Sequence, residues 1–73
     1  MEKAELLLIE KNIHRNEELK RHVENHRRLE EALVEFNRRR YLDPEEQVEK
    51  KNLQKRKLRE KEQIFRILEK YPD

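Results

Sequence analysis

Two histidines one helical turn apart form the only cluster in this sequence that has the spacing of metal ligands. His22 and His26 are four residues apart, and Glu18 and Glu30 continue the same spacing in both directions. Residues four apart share a face of a helix, so two imidazoles could reach one ion. Structural zinc normally takes four ligands, often thiolates, and the sequence has no cysteine and no identifiable remote third ligand. We therefore expect no metal site and a packed imidazole at His26.

The chain lacks the residue types on which most nucleophilic catalysis depends. It contains no Ser, Thr, Cys or Gly, so nucleophilic Ser or Thr hydroxyls, Cys thiolates and glycine-rich phosphate loops are all excluded. Neighbouring carboxylates occur at Glu17 and Glu18 and at Glu45 and Glu46. General acid catalysis needs a pocket around such a group, and these pairs lie on highly charged helical segments. We expect no catalytic residue, no cofactor and no small-molecule substrate.

Positive charge is concentrated in residues 50–61, where seven basic side chains accompany the single acid Glu60. Such a segment attracts phosphates or acidic protein surfaces. The whole chain carries a net charge of only +2 and has few aromatic residues, and a charged run on a helix is usually its solvated face. Weak, sequence-independent binding of nucleic acid is therefore the alternative function. Its candidate basic surface consists of Lys50, Lys51, Lys55, Arg56, Lys57, Arg59 and Lys61.

The elements that carry these residues are predicted to be helices. The chain has 73 residues, enough for one domain, and 49% of them are charged while 33% are hydrophobic. Disordered chains tend to be rich in Gly, Ser and Pro, whereas here only two Pro occur and Glu, Lys, Arg and Leu dominate. These are good helix formers. The composition predicts an ordered, all-α protein.

One strong helix-start signal divides the chain, at residues 42–46. Asp43 can cap a helix, Pro44 suits its first position, and Glu46 is placed for a capping box. The sequence predicts a helix over about 2–39, a turn over about 40–43 and a helix over about 44–71. No Gly or Pro interrupts the first of these helices. A turn this short makes the two helices antiparallel neighbours, so we expect a two-helix, coiled-coil-like hairpin.

Apolar residues recur at three- and four-residue steps along both predicted helices, which is the pattern of a buried face. The first helix is the longer, and its Leu6, Leu7 and Ile9 are expected to overhang the second without an intramolecular partner. This overhang either frays or contacts a second copy, and a lone hairpin exposes one side of its core. We therefore expect a homo-oligomer or a helical protein partner. The predicted interaction seam is Leu6, Ile9, Ile13, Leu19, Val23, His26, Leu29, Leu33, Phe36, Leu53, Leu58, Ile64, Phe65 and Leu68.

Residues 53–64 begin with a hydrophobe and basic residues and continue with the pattern Lys-Leu-x-x-Lys-acid-x-hydrophobe. The matching positions are Leu53, Lys57, Leu58, Lys61, Glu62 and Ile64. Residues 26–30 have the pattern His-x-x-Leu-acid. Together these elements resemble the YdcH-like family of small bacterial helical hairpins, whose function is unknown. The resemblance covers roughly residues 19–68. It implies a helical hairpin of the bacterial cytoplasm and brings no catalytic residue. Glu60 departs from the pattern, because a second hydrophobe often stands there, and the departure is expected to thin the seam. Glu62 replaces a common Asp.

The longest apolar run, residues 6–9, is far shorter than the roughly 20 residues that a membrane-spanning helix needs. No small-residue cleavage site follows it, so we expect a soluble, cytoplasmic protein without a membrane partner. The predicted function is that of a non-enzymatic helical interaction module.

Overall fold

The structure, a computed structural model, describes residues 3–71. These residues form three helices, α1 (Lys3–Asn12), α2 (Glu17–Arg38) and α3 (Pro44–Leu68), and no strand. The predicted all-α class is confirmed over this part of the chain. The number of helices is three where two were predicted.

Helix α3 begins where the sequence predicts, because Asp43 and Glu46 form a capping box. The Glu46 amide donates to Asp43 Oδ1 at 2.8 Å, and the Asp43 amide donates to Glu46 Oε1 at 3.2 Å. Pro44, which has no amide proton to leave unsatisfied, occupies the first turn. The helix ends at Leu68, about three residues earlier than predicted, in a turn where the Tyr71 amide donates to the Leu68 carbonyl.

The prediction of one continuous helix over about 2–39 is wrong. The chain turns at residues 13–15, and a new helix begins after Asn16, whose backbone is extended at φ −134° and ψ 104°. Asn16 Oδ1 accepts a hydrogen bond from the Leu19 amide at 3.0 Å. Asn is a strongly preferred N-cap, and Glu17 and Glu18 place negative charge at the positive end of α2. The break therefore comes from a side-chain cap and not from Gly or Pro.

Helices α2 and α3 run antiparallel along the length of the molecule. At one end Asn16 Nδ2 donates to the Tyr71 hydroxyl at 3.0 Å. At the other end Arg39 and Glu46 form an ion pair across the connection. The resulting body is elongated, with extents of 45 × 17 × 17 Å.

The core lies where all three helices meet. Leu19 of α2 and Ile64 of α3 have exposed fractions of 0%, and Ile67 and Leu68 complete the α3 side of the cluster. Ile9 of α1 is also part of this core and is only 7% exposed. The expectation that Ile9 overhangs without an intramolecular partner is wrong, because the turn folds α1 back onto α2 and α3. Within residues 3–71 no helix is both long and apolar enough to cross a bilayer.

Candidate interaction surface

Most of the predicted interaction seam is occupied within the chain itself. Seven of its residues are buried, namely Ile9, Leu19, His26, Leu29, Leu33, Ile64 and Leu68, and five are half-buried, namely Ile13, Val23, Phe36, Leu53 and Phe65. Only Leu6, at 49%, and Leu58, at 58%, are exposed. A partner of the folded chain therefore meets a smaller apolar surface than the sequence indicated.

Leu58 lines an open groove between α2 and α3. Val34, which is nearly half exposed, faces the same groove, and buried Leu33 forms part of its wall. The groove has a volume of about 500 Å³. Sequence analysis missed Val34, since it lies beside the regular stripe through Leu33. We call this feature the α2–α3 groove, and its lining is Glu30, Leu33, Val34, Asn37, Gln54, Lys57, Leu58 and Lys61.

A second open groove, of about 430 Å³, lies between α1 and α2. Leu6, Ile9 and Ile13 line it from α1 and the turn. Glu30 lines both grooves, so the two adjoin and form one open face. We call this second feature the α1–α2 groove, and its lining is Leu6, Ile9, Glu10, Ile13, Val23, His26, Arg27 and Glu30.

Glu30 also connects the polar groups at the junction of the grooves. Its Oε1 lies 3.5 Å from Lys57 Nζ and 3.7 Å from His26 Nδ1. Burial lowers the pKa of His26 below its ordinary value, and Lys57 and Lys61 act in the same direction, whereas the Glu30 carboxylate opposes them. This shift of the pKa favours the neutral imidazole, and at 7% exposure His26 is a packed core residue.

His22 and Glu60 form a polar link between α2 and α3. The Nδ1–H of His22 donates to Glu60 Oε2 at 2.6 Å, and both side chains are largely shielded from water. This contact explains why an acid can stand at position 60, where the resemblance leads one to expect a hydrophobe. His22 and His26 thus contact different acids on different helices. No group of three potential metal ligands is gathered anywhere in residues 3–71.

The seven basic residues of α3 between positions 50 and 61 fall into three groups. Lys57 pairs with Glu30, and Lys61 Nζ lies 5.6 Å from the centre of the Phe65 ring, so these two cations are held against the body of the protein. Lys50 is half-buried. The remaining four basic residues are exposed, and no ion pair joins them to an acid within residues 3–71; they are Lys51, Lys55, Arg56 and Arg59.

Comparison of the chain with models of known families, with characterised proteins and with solved structures finds no match. The resemblance to the YdcH-like family therefore stays a prediction from the residues of α2 and α3.

Proposed function

We propose that this chain is a non-enzymatic interaction module of the bacterial cytoplasm, which contacts a second copy or another helical protein through an apolar helical surface. One observation carries the proposal. The two adjoining grooves leave Leu6, Val34 and Leu58 exposed on one open face. Exposed apolar side chains grouped in this way mark interaction sites more often than scattered ones do.

The chemistry of the open face suits an amphipathic helix. Its apolar lining is Leu33, Val34 and Leu58, and the charged side chains of Glu30, Lys57 and Lys61 line it as well. Helix-in-groove recognition uses this arrangement, with apolar anchors in the groove and complementary charges beside them. Each apolar side chain that becomes fully buried contributes about 1.5–3 kcal/mol. The sequence has no Ser, Thr or Cys nucleophile, and this supports a binding role over catalysis.

Placing two carboxylates in the α2–α3 groove is expected to disrupt self-association. In the Val34→Glu, Leu58→Glu double variant, we expect the dimer Kd to rise at least 100-fold, because each contact would bury an unpaired charge in place of an apolar group. Sedimentation equilibrium from micromolar to millimolar concentration measures this change.

The matched control is Val48→Glu, which alters an equally exposed apolar residue of α3 that lies outside both grooves. It is expected to leave the dimer Kd unchanged. A wild-type mass of one chain at every concentration would contradict self-association. Equal Kd values for the double variant and the wild type would show that the α2–α3 groove is not the contact.

The second candidate function is weak, sequence-independent binding of nucleic acid through α3. The observation that favours it is the set of four exposed basic residues without acidic partners described above. Lys51, Lys55 and Arg59 follow one another at four-residue spacing, so they share one face of α3. Side chains of this kind contact phosphates and position a protein on the duplex without reading its bases.

This candidate predicts a steep dependence of affinity on salt. About four phosphate contacts give a slope near −3.6 in a log–log plot of affinity against salt concentration on duplex DNA. We expect Lys55→Glu with Arg56→Glu to abolish binding at low salt, as measured by fluorescence anisotropy. Lys11→Glu with Lys20→Glu makes the same change in net charge on α1 and α2 and should retain most of the affinity. Absence of binding by the wild type at low salt would eliminate this function.

A further inference from the structure

The turn between α1 and α2 contains no residue that forbids a helix. Residues 13–16 include neither Gly nor Pro, and no residue in the described part of the chain has a positive φ. The amide of Ile13 still donates to the Ile9 carbonyl in the helical pattern, at 2.8 Å. The extended backbone of Asn16 separates the two helices, and a continuous helix requires this residue and the turn at residues 13–15 to become helical.

Two side-chain hydrogen bonds hold the turn closed. Asn16 Oδ1 caps the Leu19 amide, and Asn16 Nδ2 donates to the Tyr71 hydroxyl. A continuous helix would lose both bonds and regain the backbone bonds that the turn interrupts. Periodicity alone predicts the continuous form, because the apolar pattern continues on both sides of the turn. Apart from the packing of α1, the closed and extended forms therefore differ in these two sets of hydrogen bonds.

That packing can be restored only by an identical helix. Extending α1 would remove Ile9 from the core and uncover Leu19, Ile64 and Leu68, which are buried in the closed form. The vacated position already has the shape and apolar pattern of α1. The α1 helix of a second copy fits this vacated position because its sequence is the same. Two protomers can therefore exchange this element without any change in the surfaces that meet.

The positions of the contacts agree with a twofold axis. Ile9 and Val23 pack in the same cluster, and Asn16 lies midway between them in the sequence. Leu6 and Arg27 line the same groove, and their midpoint falls between residues 16 and 17. Two extended helices that cross antiparallel at Asn16 would thus place each α1 on the α2 of the other chain. Both halves of such an interface are the same.

We propose that this chain dimerises by exchanging α1, with Asn16 as the hinge and a second copy of the chain as the partner. The inference rests on the proposed self-association and adds to it a second contact at the site of α1, because the exchange by itself leaves the α2–α3 groove open for the contact proposed above. In the dimer, α1 and α2 merge into one helix, and the α1 of each chain occupies the position that the other has vacated. The same contacts thus hold the closed monomer and the exchanged dimer.

Hinge variants test the exchange through opposite changes in Kd. Asn16→Ala removes the cap that favours the closed turn, so the dimer Kd should fall about 25-fold, or about fivefold for each chain. His14→Gly with Arg15→Gly penalises the continuous helix and should raise the Kd by 100-fold or more. Asn52→Ala, in the exposed middle of α3, is the control and should leave the Kd unchanged. Equal Kd values for the wild type and both hinge variants would overturn the exchange.

Cross-linking identifies which chain supplies α1. The sequence has no native cysteine, so Leu6→Cys and Arg27→Cys can be made as separate proteins, mixed at a concentration where dimers form, and treated with a short bismaleimide. Exchange predicts a product that joins one chain of each variant, and no product that joins two Leu6→Cys chains. A dimer that yields no mixed product overturns the exchange and leaves self-association standing. A wild type and an Asn16→Ala variant that both stay monomeric up to millimolar concentration overturn both proposals.

Discussion

Leu19→Ala is expected to destabilise the fold by about 3–5 kcal/mol, because it empties a fully buried site where all three helices meet. A chain of this length has a total stability of about 4–11 kcal/mol, so the substitution should remove a large share of that stability and lower the urea midpoint of unfolding markedly. Urea titration followed by far-ultraviolet circular dichroism measures the loss.

The control for Leu19→Ala is Val48→Ala, which shortens an exposed apolar side chain of α3. Its effect on the free energy of unfolding should stay within about 0.5 kcal/mol. Similar stabilities for the two variants would contradict the position of Leu19 at the centre of the core.

Ile9→Asp is expected to detach α1 from the rest of the protein at a cost of roughly 2–3 kcal/mol, the value of burying one large aliphatic side chain. An unpaired carboxylate cannot stay among Leu19, Ile64 and Leu68. Because α2 and α3 retain their own contacts, the loss should be local. Amide exchange read by mass spectrometry should show lost protection in residues 3–12 and retained protection in α2 and α3.

Leu7→Asp provides a matched control for Ile9→Asp on the same helix, since Leu7 is half exposed. It should leave the protection of α1 close to that of the wild type. If Ile9→Asp also leaves α1 protected, then Ile9 does not hold this helix in place. The packing of α1 against α2 and α3 through Ile9 would then be wrong.

The all-α class and the start of α3 could be predicted because their causes are local. The capping box needs only Asp43 and Glu46, and Pro44 between them has a preferred position at a helix start. Antiparallel packing of α2 and α3 follows from the short connection. Leu19 and Leu33 could be assigned to the core because helical periodicity places them on one apolar face.

The position of α1 could not be predicted from periodicity, because the turn before α2 keeps the apolar pattern on both sides. A signal was nevertheless present, since Asn16 followed by Glu17 and Glu18 is a typical helix start. The sequence has two such helix starts, at Asn16 and at Asp43, and the prediction of one continuous helix over about 2–39 uses only the second, which is followed by Pro. Because α1 folds back onto α2 and α3, Ile9 lies in the core and not in the predicted overhang.

Individual contacts across the helices were the least predictable feature. The sequence predicts Leu58 as part of the interaction seam, yet its side chain is more than half exposed. A broad apolar face does not reveal which of its residues contact the neighbouring helix and which face solvent. Glu60 was expected to thin the seam, whereas it accepts a hydrogen bond from His22 of α2. Such pairings depend on the register of two helices, and composition does not determine register.

The slender shape of the molecule accounts for its unusual composition. The radius of gyration is 14.3 Å, whereas a compact sphere of this chain length would have about 11 Å. A cylinder 17 Å across has room along its axis for little more than a single file of side chains, and Leu19 and Ile64 are the largest ones that water does not reach. Nearly every other position faces solvent on at least one side. A charged fraction of 49% therefore matches a body in which most side chains face water, whatever it binds.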